Sequence, residues 1–380
     1  MQDDKRSKTN SGFWLPGSEE LDIGHLSRLF DNKSECYKLF WFQALIRKVS
    51  QGQYELTFEE LVDQMILDAW YMVTEYHLNL GPSDTLEKAV HYICDKEKIA
   101  PAEKKERILA YLQNTDDKQV KAFKQILTYN VPYRLQAPFL ETAKGFWAAG
   151  THELTRKINQ QKHLIYYFGD CHGLATKIRI QPEWINYITV NHEILESWLR
   201  CDMIAYLQKR NPCVPGIVDK IDPPQERKLA DVQAYWKTLI RLHDIHEIFD
   251  DEQLQVNAIS IDHFIPWSYV AHDEFWNLHP TTKSINSSKS NYLPAWDRYF
   301  TRFSSLEYLS YLMMWRNEEL HKKFDHCARE HLNNPEIKEK LYQQGLSKEL
   351  FCHQLEDIIK PVYQSALQCG FKEWAYADNR

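Results

Sequence analysis

Along the first third of the chain, apolar residues recur at the three- and four-residue intervals of helices. The run Leu39, Phe40, Phe42, Leu45, Ile46 and Val49 leaves few polar sides, which predicts a helix buried almost all round. Thr57-Phe58-Glu59-Glu60 has the form of a capping box, in which the first and fourth side chains each accept from the other's backbone N–H. It opens onto Val62, Met65, Ile66, Ala69, Trp70 and Val73, the stripe of a long amphipathic helix. Pro101 ahead of Ala102-Glu103-Lys104-Lys105 marks another helix onset, and Val120 to Leu127 is a further one. Around Val131 to Pro138 the pattern changes. His163 to Phe168 and Ala175 to Ile180 predict two short strands joined by Gly169-Asp170-Cys171-His172-Gly173. A helical period then resumes from Glu183 or Asn191 to Lys209. It stops at Asn211-Pro212-Cys213-Val214-Pro215-Gly216 and Pro223-Pro224, the clearest boundary in the chain. Ala258 to Ile265 reads as a strand closed by Pro266, and Thr281 to Ser290 as a turn entering a short helix. Beyond Pro294 the pattern is helical, with Ser304-x-x-Glu307 read as a capping box leading into Leu309, Leu312, Met313 and Arg316.

These elements predict a mainly α chain with one small ββα unit, α+β overall. Four regions are expected: a helical N-terminal domain at 1–140, short strands plus a helix at 141–210 as a connecting or recognition region, the ββα unit at 211–300, and C-terminal helices at 301–380. No repeat or low-complexity segment interrupts them.

The 380 residues are 43% hydrophobic, enough for a large core. No apolar stretch approaches a membrane span. Met1-Gln2-Asp3-Asp4-Lys5-Arg6-Ser7-Lys8 is polar with no apolar segment behind it, so a secretion signal is not expected. Eight cysteines are scattered singly, as in reduced thiols rather than a disulfide framework. A cytoplasmic protein is the expectation. The formal net charge of −7 predicts weak affinity for bare nucleic acid, because that affinity comes largely from Lys and Arg neutralising phosphates. Lys104, Lys105 and Arg107, or Arg156, Lys157 and Lys162, form local basic groups that read equally as solvated helix faces.

The candidate chemistry lies in Ile261-Asp262-His263-Phe264-Ile265-Pro266-Trp267-Ser268, followed by Asn277 and Asn286. A phosphodiester gains negative charge as water attacks it, so hydrolysis calls for a divalent cation and a general base. A hard ion such as Mg²⁺ prefers oxygen ligands and keeps several waters. Asp262 and Asn286 can supply two such oxygens, and His263 is the side chain most easily poised near neutral pH to take the proton. Adjacent strand residues point to opposite faces, so a site shared by Asp262 and His263 requires an irregular strand end. Asn277 can brace the loop through both ends of its amide.

The pattern Asp262-His263-x-x-Pro266-x-Ser268, Asn277, Asn286-x-x-Lys289-Ser290 and Pro294 resembles the HNH, or ββα-metal, endonucleases. It is most similar to the HNH domain of type II CRISPR effectors, and to bacterial HNH proteins of roughly this size, some in phage-defence loci. The resemblance covers about residues 240 to 295. It implies His263 as general base, Asp262 and Asn286 as ligands of Mg²⁺ or Mn²⁺, and Asn277 as a loop brace. The implied activity is one-metal hydrolysis of DNA, as the nuclease effector of a bacterial defence or restriction system.

Other readings stay open beside it. The substrate could be RNA, since the nucleophile is water in either case. The chain could act mainly as an interaction module, its acidic charge fitting a nuclease recruited or activated by a protein partner, and homo-oligomerisation is open as well. Lys289 is a candidate phosphate contact or a solvated lysine, and Lys283 a weaker one; His272 and His279 read as polar loop residues. The chain has no Cys-x-x-Cys pair for the structural zinc that many HNH proteins carry. His243-x-x-His246 and the group His321, His326, Cys327 and His331 lack a familiar tetrahedral spacing. Asp170-Cys171-His172 reads as a turn between strands rather than a Cys-His nucleophile pair.

Overall fold

A computed structural model describes residues 7–31, 35–223 and 227–376. Met1 to Arg6 and Pro224 lie outside them, so the polar start of the chain and part of the proline-rich boundary have no structural account here. The chain divides into two compact units, Met1–Pro212 and Cys213–Arg380. It is mainly helical with a few small sheets, the α+β class expected.

In the first unit, α1 (Tyr37–Ser50) buries Leu39 through Phe42 together with Ala44, Leu45, Ile46 and Val49, as its nearly unbroken apolar sequence requires. β1 (Glu55–Thr57) leads directly into α2 (Phe58–Thr74) through the capping box: Thr57 Oγ1 accepts from Glu60 N at 3.2 Å, and Glu60 Oε2 accepts from Thr57 N at 2.7 Å. The two strands read from the sequence form a hairpin, β2 (Tyr166–Phe168) and β3 (Lys177–Ile180), and β3 sits centrally with β1 on its other side. Along β3, Ile178 and Ile180 are buried while Lys177 and Arg179 are exposed. Asp170-Cys171-His172 lies in the connection between these strands, and the Cys171 thiol donates to Thr155 Oγ1.

The second unit opens with α3 (Ala230–Leu242), whose Tyr235, Trp236 and Leu239 enter a core shared with Phe264, Phe275, Phe303, Phe324 and Phe351. β4 (Ile259–His263) pairs antiparallel with β5 (Leu278–Thr282), and α4 (Lys283–Lys289) follows at once. After it come α5 (Trp296–Arg316), α6 (Glu318–His331), a helix at Pro335–Tyr342, and α7 (Lys348–Gln368).

The start of α5 differs from the expectation. It begins eight residues before Ser304, which lies inside the helix, buried with Glu307, and its hydroxyl donates to Thr301 O. Trp296, Tyr299, Phe300 and Phe303 extend the apolar stripe upstream, and their burial outweighs a capping signal that has no helix end to cap.

Ahead of β4, the loop 243–254 is tied by several side chains, of which Glu247 is the buried one. Buried Glu247 accepts from Phe249 N at 2.6 Å and Asp250 N at 3.3 Å. Burial pushes its carboxyl up to about 7, the backbone donors pulling back only partly. Because the folded state holds this proton above the ordinary value of 4.5, stability should fall as pH rises from about 4.5 to about 7. The loss integrates to roughly 3 kcal/mol at ~1.4 kcal/mol per pH unit. A Glu247→Gln variant keeps an acceptor for Phe249 N without the charge, so its urea-unfolding free energy should lack that loss between pH 5 and pH 8. Equal pH dependence in both proteins would contradict this.

Candidate functional site

β4, β5 and α4 bring the candidate residues together. Thr282 ends β5 and caps α4, its hydroxyl accepting from Ile285 N at 3.3 Å. Asn286 and Lys289, three residues apart, share one face of α4. That face lies on β4: Asn286 Nδ2 donates to Ser260 Oγ at 2.9 Å and to Ile261 O at 3.3 Å. A carbonyl only accepts, so Ile261 O fixes the amide orientation and leaves Asn286 Oδ1 facing away from these two partners.

Lys289 is fully buried, neither a solvated lysine nor one placed to meet an incoming phosphate. Its ammonium donates to His263 O at 2.8 Å and lies 3.0 Å from Asp262 Oδ2. Lysine stems bury readily when the charged end is met, and here a carboxylate and a carbonyl meet it. Lys283, at the start of α4, is exposed.

The expected irregular strand end is absent. The ladder runs regularly through Asp262↔His279 and His263↔Leu278, and the two neighbouring side chains find different partners. Asp262 meets Lys289. His263 Nε2 lies 2.8 Å from Asp273 Oδ1, and its Nδ1 lies 3.3 Å from Arg227 Nη1. Burial pushes the His263 imidazole below its ordinary pKa; Asp273 pulls it up and Arg227 down, and the net is a ring that stays neutral at pH 7. A neutral imidazole is the form that can accept a proton.

Asn277 is fully buried and holds the strand end from both sides. Its Oδ1 accepts from Ile265 N at 2.8 Å and its Nδ2 donates to Ile265 O at 2.9 Å, while Asn277 O accepts from Phe264 N. His279, read as a polar loop residue, is instead a core residue of β5, edge-on to Phe249 and Phe303. Burial lowers its pKa to about 4. His272 is half-buried beside Trp276.

Asp262 and Asn286 are the residues that would hold a hard cation. Asp262 Oδ2 is buried, with the Lys289 ammonium 3.0 Å away. With Asn286 Oδ1 it offers one carboxylate and one amide oxygen, the donor type that Mg²⁺ and Mn²⁺ favour. The residues fit such an ion, with the Lys289 ammonium competing for the same carboxylate. Among the described residues no group of three or more His, Cys, Asp or Glu side chains could hold a metal ion. His246 Nδ1 is spent on Asp251 O, His321 meets Met314, and His331 Nδ1 donates to Asp273 O.

Two residues of the site escape a reading of the sequence. Asp273 stands in a loop where acidic residues are ordinary, and Arg227 lies upstream beyond a whole helix. The only signal for either is an acidic residue ten positions after a histidine, which is too common to act on.

An antiparallel pair followed by a short helix, with Asp-His on the first strand and Asn on the helix, defines a ββα unit of the nuclease type. Residues 245–295 match the family model of HNH endonucleases, and the second unit carries an HNH endonuclease domain. The match is to HNH endonucleases at large and does not single out the CRISPR effectors. Comparison with curated proteins and with solved structures gives no match. No helix among the described residues is long and apolar enough to cross a membrane.

Proposed function

We propose that the second unit is a Mg²⁺- or Mn²⁺-dependent endonuclease that hydrolyses phosphodiester bonds of DNA with one metal ion and His263 as general base. The observation that carries this is the ββα placement of Asp262 and His263 at the end of β4 and of Asn286 on the face of α4 that lies on that strand. A bound divalent ion supplies charge to offset the negative charge that develops on the phosphate. Asp262 and Asn286 would hold it. His263 takes one proton from the attacking water, whose oxygen bonds to phosphorus while one P–O ester bond breaks and the leaving oxygen takes a proton from solvent. Asn277 keeps the strand end and the loop in register, and Lys289 keeps Asp262 in place.

DNA is preferred over RNA as the substrate on the resemblance already given, with bacterial defence or restriction as the setting it implies. Equal amounts of labelled duplex DNA, single-stranded DNA and RNA, each with Mg²⁺ and with EDTA, test the choice. Metal-dependent cuts in DNA are expected; cuts in RNA alone would overturn it.

The net charge of −7 favours a second element in this reading, delivery of the nuclease to its substrate by a protein partner. Because few phosphates are then neutralised, cutting of bare DNA by the chain alone should be weak and should fall only shallowly as salt rises.

A further inference from the structure

A base of this kind works only if the correct nitrogen faces the water. A neutral imidazole has one N–H and one lone pair, and its neighbours decide which nitrogen has which. At His263 both neighbours are of one kind only. Asp273 is a carboxylate and accepts; although burial would raise its pKa, the hydrogen bond from His263 and the nearby Arg227 and His331 hold it below its ordinary value. Arg227 is a guanidinium and donates. The proton of the ring therefore sits on Nε2, directed at Asp273 Oδ1 2.8 Å away, and the lone pair on Nδ1, facing Arg227 at 3.3 Å.

The loop that carries Asp273 is pinned on both sides. His331, at the end of α6, donates to Asp273 O at 2.8 Å. Asn333 donates to the Glu274 carboxylate at 2.8 Å through its side chain and at 3.2 Å through its backbone. Asn277 N in turn donates to Glu274 O, tying the same loop to the residue that braces the strand end. Helix α6, whose His331 lies 58 residues beyond Asp273 in the sequence, thus sets the position of the carboxylate that meets His263.

We propose that Asp273 is a positioning residue of the nuclease site, which fixes His263 in the Nε2–H tautomer and leaves Nδ1 as the nitrogen that takes the proton from water. This rests on the nuclease reading. Arg227 covers that nitrogen in the structure, so its guanidinium moves aside when the attacking water takes its place.

The test joins a spectroscopic readout to a kinetic one. In the full-length protein labelled with ¹⁵N-histidine, His263 is identified by the signals lost in a His263→Gln variant. In the otherwise native chain at pH 7.5 it should show a pyridine-type Nδ1 and a protonated Nε2. An Asp273→Asn substitution should mix or reverse that pattern, and should lower kcat for plasmid nicking on the order of 10²–10⁴-fold with KM unchanged. A native His263 carrying its proton on Nδ1 would overturn the proposal without any Asp273 variant, and so would an Asp273→Asn protein that nicks at the native rate. If the native protein does not nick at all, the nuclease reading fails, whereas the tautomer measurement still decides what Asp273 does to His263.

Discussion

Replacing Asp262 with alanine should cost the second unit about 3–5 kcal/mol of stability and abolish metal-dependent nicking in the same step. The stability loss comes from Lys289, which has no exposure to water and whose ammonium lies 3.0 Å from Asp262 Oδ2. Without Asp262 the charge keeps only His263 O as an acceptor, and that remaining bond places the cost toward the lower end of the range. A Lys289→Met change alone strands the carboxylate instead and should cost a similar amount. The pair Asp262→Leu with Lys289→Met removes both charges together, and should return to within about 1 kcal/mol of the native protein, because apolar replacement of a buried ion pair is often neutral. Nicking should stay abolished in the pair. Urea unfolding of the native protein, Asp262→Leu, Lys289→Met and their pair gives the coupling energy, and additive losses would show that the ion pair is not the source.

His263→Ala should leave the fold standing and lower the nicking rate on the order of 10²–10⁴-fold at saturating metal, the usual contribution of a positioned general base. His263 Nδ1 and Nε2 face Arg227 and Asp273 rather than the Asp262 carboxylate, so the substitution removes the base without removing a proposed metal ligand. Binding of Mn²⁺, followed by its paramagnetic resonance signal, should therefore be little changed in His263→Ala and lost in Asp262→Ala. Nicking by His263→Ala at the native rate would sink the assignment of the base.

Much of this site was legible in the sequence because its spacing is local. One hairpin and one short helix bring Asp262, His263, Asn277 and Asn286 together within a few turns of chain, and the Thr57 capping box announced α2 by the same kind of short-range signal. What escaped depends on distant packing. The position of Asp273 is set by His331 and Asn333 from α6 and the segment after it, so no nearby residue marks it out. Lys289 looks like any lysine on a short helix until the carboxylate and carbonyl that meet it are placed. The regular pairing of Asp262 and His263 came from the ladder with β5, which kept the strand intact where a shared site had suggested a break. At Ser304 a valid local signal lost to an aromatic stripe that starts earlier, a case of burial overriding capping.

Metal-dependent cutting of DNA is the property that the roles proposed for Asp262, His263 and Asn286 require. The direct measurement is conversion of supercoiled plasmid to open circle by the purified full-length chain across a titration of Mg²⁺ and of Mn²⁺, with EDTA as the control. Open circles should appear before linear DNA, increase with metal until they saturate, and stop when EDTA is added. No cutting at any metal concentration, or cutting that continues in EDTA, would contradict it.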